Sequence, residues 1–188
     1  SEFLNGTWSE PKIAPFSIHD SDSSPFISVD GKELFFTSKR PIDGVDSKSS
    51  NVWKVQLKGP KKGKTTLVSN VNSNKNEYSP SVDSNRNFYF GSYQEGGEGS
   101  GDLWCSEYSD GNYAKPINLG SNVNTPNGEW GSCISPDGKI LVFENSGNSE
   151  NYSYAGDLYI SKKVDDTWQK PLHLSHPINS IGSDLTPK

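Results

Sequence analysis

The chain of 188 residues contains no methionine, three histidines, two cysteines and only three alanines, Ala14, Ala114 and Ala155. Each scarcity excludes something. With 18 glycines and 12 prolines beside so few alanines, long helices have little support. Cys105 and Cys133 are too few for a disulfide framework, and they fall in neighbouring repeats, in strands not expected to pair. No stretch approaches the roughly 18 apolar residues of a membrane span, and no signal-peptide pattern heads the chain. Membrane insertion is therefore not expected. Positive charge is short as well: 18 Lys and Arg against 23 Asp and Glu leave a net charge of −5 and a pI near 5.2. That is the wrong sign for nucleic acid or an anionic membrane, whose phosphates reward clustered Lys and Arg. The basic run Lys58 to Lys64 reads as a solvated turn between two strands. Lacking methionine, the chain is expected to be a processed protein or a piece of a longer one.

What is present is repetition. Glu129 to Phe143 reads as a short strand, a Ser-Pro-Asp-Gly-Lys turn (Ser135 to Lys139) and a second strand with a continuous apolar run. The same sentence is written at Asp22 to Phe36, with its turn at Val29-Asp30-Gly31-Lys32. A looser copy, one residue shorter in its turn, runs from Glu77 to Phe90. A fourth begins at Asp184-Leu185-Thr186-Pro187-Lys188. Aromatic residues, 11% of the chain, supply burial that a hydrophobic content of 30% would leave thin.

Two independent markers give the period. The connectors Ile18-His19-Asp20, Val71-Asn72-Ser73, Val123-Asn124-Thr125 and Ile178-Asn179-Ser180 have apolar anchors 53, 52 and 55 residues apart, and the positions Pro25, Pro80, Ser132 and Pro187 are spaced by 55, 52 and 55. Four strands fit each period. In the first they are 24–28, 32–38, 51–57 and, weakest, 65–69. The second strand is apolar on both faces (Leu34-Phe35-Phe36, Phe88-Tyr89-Phe90, Leu141-Val142-Phe143), which places it between two sheets. The fourth carries a proline in three copies (Pro11, Pro116, Pro171), and proline donates no ladder hydrogen bond, so it belongs at a sheet edge. Four-stranded antiparallel units of this length, stacked face to face, are β-propeller blades.

The pattern of a small residue, a Ser-Pro-Asp-Gly-Lys turn, an apolar triplet and an Asp-hydrophobic-aromatic third strand resembles the WD-repeat-like β-propeller family typified by TolB. Repeat three keeps it best, in Ile134 to Phe143 and Gly156 to Tyr159. Repeat one has Val29 where the family prefers proline, and repeat two replaces Asp-Gly with Ser84-Asn85. The expected fold is an all-β propeller with a partial blade at 1–20, blades at 21–72, 73–124 and 125–179, and the start of another at 180–188. Family propellers close with about six blades. This chain is thus expected to be part of a longer propeller, or to complete its ring as a homo-oligomer.

The resemblance implies a non-catalytic binding or scaffold module, docking a protein, peptide or carbohydrate ligand at the channel mouth, in the periplasm or outside the cell. It leaves open a propeller that gates a peptidase, a polysaccharide-active propeller, or a structural spacer. The residues themselves point to one repeated feature, an acid three positions before each anchor: Asp22, Glu77, Glu129 and Asp184. Rotational repetition would set these carboxylates in a ring at the mouth, with Tyr78 and Trp130 beside them as stacking surfaces. Such a ring would bind a basic peptide, polar ligand groups or a divalent cation; no other cofactor is expected. The alternative is that each carboxylate accepts hydrogen bonds from its own turn. Three further features read as structural. His19, His173 and His176 are surface histidines, and Gly96 to Asp102 is a flexible loop. Asn5-Gly6-Thr7-Trp8 and Asp165-Asp166-Thr167-Trp168 are tight hairpins with tryptophan over the blade edge.

Overall fold

A computed structural model of the chain describes residues 1, 3–17, 21–152 and 156–187. Among them there is no helix. Three antiparallel sheets follow one another along the chain, each a meander in sequence order. The first blade is built from Ser23–Ile27, Glu33–Ser38, Asn51–Gln56 and Thr65–Leu67, and the second from Glu77–Val82, Phe88–Ser92, Asp102–Ser106 and Ile117–Asn118. The third comprises Gly128–Ile134, Ile140–Ser146 and Asp157–Val164, with Thr167–Trp168 and Leu172–His173 both paired to the last of these. The architecture is a partial β-propeller.

Proline explains why the outer strand is broken in two blades. Pro171 separates Thr167–Trp168 from Leu172–His173. Pro116 likewise separates Ile117–Asn118 from a small hairpin, Tyr108–Ser109 with Asn112–Tyr113. In the first blade no proline intervenes, and Thr65–Leu67 pairs without interruption to Val55, Lys54 and Trp53. The hairpin turns Asn5-Gly6, Asp110-Gly111 and Asp165-Asp166 all have positive φ at both residues, the geometry that matches strand twist in a two-residue loop. Trp168 covers its blade edge at 7% exposure, whereas Trp8 stays 70% exposed. Among the described residues the Trp8 hairpin pairs with no blade strand, and the Trp8 ring lies 5.1 Å from that of Phe3.

The second strand of the middle blade sorts its side chains between two cores. Phe88 and Phe90 join Phe35, Val52, Val82 and Trp104 on one side. Tyr89 joins Leu103, Leu141, Phe143 and Tyr159 on the other. This is the packing that a strand apolar on both faces requires. The turn residues follow from the same repeat. Ser28 and Ser135 each donate to the aspartate two residues on, Asp30 at 2.8 Å and Asp137 at 2.5 Å, and accept from the N–H groups that open the next strand. In the shorter middle turn Asp83 takes over the serine's part, accepting from Asn87, and Arg86 adopts the positive φ that glycine holds in the other two.

Every inner strand bends at one place. The residue two after the repeated acid is left-handed in all four copies: Ser24, Ser79, Gly131 and Thr186, with φ of 50, 45, 55 and 48°. In the three complete blades the ladder register slips just there, as a β-bulge demands. The blades are then tied to one another by the connectors. The N–H of Val52 donates to Asn72 Oδ1 at 2.6 Å and Asn72 Nδ2 returns to the Val52 carbonyl at 3.0 Å. Asn124 does the same with Leu103 at 2.8 and 3.0 Å, and Asn179 with Leu158 at 2.8 and 2.9 Å. Each asparagine amide thus stands in for one more residue of ladder beside the third strand.

Asn124→Leu keeps the volume and removes both bonds, leaving the buried N–H of Leu103 unpaired while its carbonyl keeps the Leu119 N–H at 3.1 Å. The expected loss is about 1–3 kcal/mol of unfolding free energy, read as a lower urea midpoint with an unchanged m-value.

Candidate functional site

The four repeated acids sit where the chain enters each inner strand, and the backbones of three of them dock on the preceding blade. Glu77 N–H donates to the Ser50 carbonyl at 2.8 Å, Glu129 N–H to Gly101 at 2.9 Å, and Asp184 N–H to Gly156 at 3.0 Å. Their carboxylates turn back to their own connectors. Glu77 accepts from the Ser73 N–H at 3.0 Å and hydroxyl at 2.6 Å. Glu129 accepts from the Thr125 N–H at 3.0 Å, its hydroxyl at 2.5 Å and Asn145 Nδ2 at 2.6 Å. Asp184 accepts from the Ser180 N–H at 2.6 Å. Asp22 has an arginine instead: Arg40 grips both its oxygens at 2.9 Å while its guanidinium lies over the Phe36 ring.

Glu77 and Glu129 are each 0% exposed. Among the described residues no hydrogen bond joins one of the four acids to another. Burial pushes the carboxyls of Glu77 and Glu129 up to about 7, against the pull of the Ser73 and Thr125 donors; Asp102 nearby adds to the rise at Glu129. At Asp22 burial also raises the pKa, but hydrogen bonds from Ser38, Arg40 and Ser17 and the Arg40 charge outweigh it, and the net shift is downward.

The two aromatics that follow these acids do meet. The rings of Tyr78 and Trp130 lie edge to face with centroids 5.7 Å apart. A third ring, Tyr93, completes the group at 4.9 Å from Trp130 and 5.8 Å from Tyr78. Tyr93 is 45% exposed; Tyr78 and Trp130 are half-buried. The sequence reading missed Tyr93, although a signal was there: it follows Ser92, which the hairpin register sets opposite Glu77, and so belongs to the same blade end. Trp130 is seated on backbone. Gly101 and Gly128 form a parallel bridge beneath it, and a Cβ at Gly101 would collide with the indole. Gly101, at the end of the Gly96 to Asp102 loop, is therefore packed against the site, while residues 96–100 are exposed; the Asp102 carboxylate accepts from the Glu98 and Gly99 N–H groups.

Of the histidines, His173 Nε2 lies 2.7 Å from the buried Asp157 carboxylate, which also accepts from the Tyr152 N–H at 2.7 Å. His176 is exposed, and His19 lies outside the described residues. No group of three or more His, Cys, Asp or Glu that would hold a metal ion occurs among the described residues. No disulfide links Cys105 to Cys133. No helix among the described residues is long and apolar enough to cross a membrane.

No protein-family model matches the chain, and no curated protein matches it. Among solved structures it is similar to a putative TolB from Agrobacterium tumefaciens (16% identity, TM-score 0.59), covering 85% of this chain and 51% of that one. It is also similar to TolB from Acinetobacter baumannii (14% identity, TM-score 0.54; 80% and 32% covered). A third is a puromycin-hydrolyzing peptidase of Mycobacterium tuberculosis (11% identity, TM-score 0.53; 82% and 23% covered). The chain thus spans from about a third to a half of the TolB structures it matches. At these identities the likeness shows the fold, a TolB-like propeller.

With folded carboxyls near 7 and unfolded ones near 4.5, Glu77 and Glu129 favour the protonated folded state. Their contribution is fully present below about pH 4.5 and is lost as pH rises through about 7. The shift amounts to roughly 3 kcal/mol per group. The urea midpoint is expected to fall between pH 5 and 8, and Glu129→Gln to flatten that slope by about half; an unaltered slope in the variant would contradict the assignment.

Proposed function

We propose that this chain is a binding module whose recognition surface is the blade-end platform of Tyr78, Tyr93 and Trp130. The observation that carries the reading is the close packing of three rings at the mouth end of two adjacent blades, with one of them nearly half exposed. Aromatic rings bring large contact area at small cost in conformational entropy, and a tyrosine or tryptophan pairs an apolar face with a polar tip. The next residue, Gln94, adds a buried side-chain amide nitrogen without a hydrogen-bond partner among the described residues, suited to an acceptor on a bound chain. The ligand is a protein or peptide segment offering a flat apolar side chain and a carbonyl, docked in the periplasm or outside the cell.

In this reading the repeated acids Glu77 and Glu129 act chiefly beneath the surface. Each fixes the entry of its inner strand and so aims the ring that follows it, Tyr78 or Trp130. Further blades, or association with a second copy, complete the ring of which this arc is a part. The resemblance to propellers that serve peptidases or glycan-active enzymes adds no chemistry at this site, where Glu77 and Glu129 are fully buried and bonded to their own connectors, Glu77 through Oε1 alone.

The test is selection from a displayed peptide library on the wild-type chain, followed by titration of enriched peptides against Trp130→Ala and Tyr93→Ala. The expected result is peptides rich in aromatic or proline residues that quench tryptophan fluorescence and lose about tenfold or more in affinity on either variant. Enriched peptides that bind the wild type and both variants equally well would place recognition elsewhere.

A further inference from the structure

A cleft lies at the opposite blade ends. It has a volume of about 260 Å³ and opens between the first and second blades, where their hairpin turns face each other. Val29, Phe35, Val82 and Tyr113 supply apolar walls, and Asp83, Ser84 and Arg86 the polar ones. Val82 and the Asp83 turn close the far end of the strand that Tyr78 opens, so the cleft and the aromatic platform occupy different ends of the middle blade.

Its acceptors are already engaged. Asp83 accepts from the Asn87 N–H at 2.8 Å and from Asn87 Nδ2 at 2.9 Å. Asp30 is paired with Lys32 at 3.3 Å, and Glu33, just behind, with Lys54 at 3.0 Å and Arg86 at 2.5 Å. What remain are donors. The Tyr113 hydroxyl and Arg86 Nε are both buried without a hydrogen-bond partner of good geometry among the described residues, with Arg86 lying near the Tyr113 oxygen, and Tyr113 as a whole is 6% exposed. Buried polar groups are rarely left unmatched, because each costs about 1–3 kcal/mol. The charged side chains that line the cleft are Asp30, Asp83 and Arg86, and Arg86 is already paired with Glu33. A ligand carboxylate would add an uncompensated negative charge to a partly apolar cleft, whereas a neutral carbonyl would not.

We infer that the cleft between the first and second blades is a second binding site, which takes one apolar residue of a peptide with its amide carbonyl on the Tyr113 hydroxyl and Arg86 Nε. The occupant enters over the exposed Val29 and Ser84 rim and rests its side chain on Phe35 and Val82.

The test uses the intact chain, isotope-labelled, titrated with N-acetyl-leucinamide, with N-acetyl-leucine as the charged counterpart, and with a blocked Gly-Gly-Leu-Gly-Gly peptide. Expected are saturable amide shifts at residues 29–30, 83–86 and 113 for the amide and the peptide, in the weak range normal for so small a ligand, and weaker binding of the carboxylate. Tyr113→Phe keeps the ring and is expected to weaken binding about fivefold. Val29→Trp, on the exposed rim, is expected to abolish it without lowering the urea midpoint. Absence of saturable shifts at the cleft, equal affinity in Tyr113→Phe, or preference for the carboxylate would overturn the proposal. Binding of the amide without the peptide would overturn the assignment to a peptide residue. Since the platform variants leave this cleft intact, failure here and failure of the platform are read separately.

Discussion

The arrangement depends on the way each connector is fastened to the strand it leaves. Asn72, Asn124 and Asn179 clasp the N–H and carbonyl of a single third-strand residue, so that a segment with no ladder of its own is held as if it had one. The following Ser or Thr then donates to the repeated acid four residues on, and the acid's own N–H closes on the preceding blade. One short segment therefore satisfies its backbone, sets the entry of the next blade and fixes the spacing between sheets. A buried loop lacking such partners would carry unpaired polar groups, which a packed interior does not tolerate.

This fastening sets the position of everything at the mouth. Because Glu77 and Glu129 are drawn into their connectors, the residues immediately after them, Tyr78 and Trp130, are turned toward each other across the blade boundary. The left-handed residue next in line, Ser79 or Gly131, bends the inner strand, and the Ser132 hydroxyl reaches back to the Ser79 carbonyl at 3.3 Å. The proposed recognition surface and the structural latch are thus consecutive residues. The repetition of the acid reflects the latch, while the identity of its neighbour varies from Ser23 to Tyr78, Trp130 and Leu185.

The middle blade shows how a departure from the repeat can be informative. Its turn is shorter and has Arg86 where the others have glycine. The arginine accepts a backbone conformation that costs a side chain about 1 kcal/mol, and in return its guanidinium crosses to Glu33 of the neighbouring blade and lies over the Tyr108 ring, 4.7 Å away. That crossing builds the floor of the inter-blade cleft. The two faces of the arc are therefore made differently: one by the repeat itself, the other by its exception.

Much of the fold was legible in the sequence because it is written locally and more than once. The Ser-x-Asp-Gly-Lys turns, the apolar triplets and the proline-broken outer strands depend on residues within a few positions of each other, and the recurrence of each at one spacing made the blades readable. The candidate site was legible only in part. Tyr78 and Trp130 stood out through the repeated acids, but nothing local to Tyr93 marks it as their neighbour. The burial of Glu77 and Glu129 depends equally on what packs over them. The tertiary structure alone decided these points, because they rest on contacts between blades: Ser132 with Ser79 and Arg86 with Glu33 are each 53 residues apart. Stacking one sheet on the next brings such residues together and removes the water between them, and only that desolvation decides which carboxylates are buried and which rings meet.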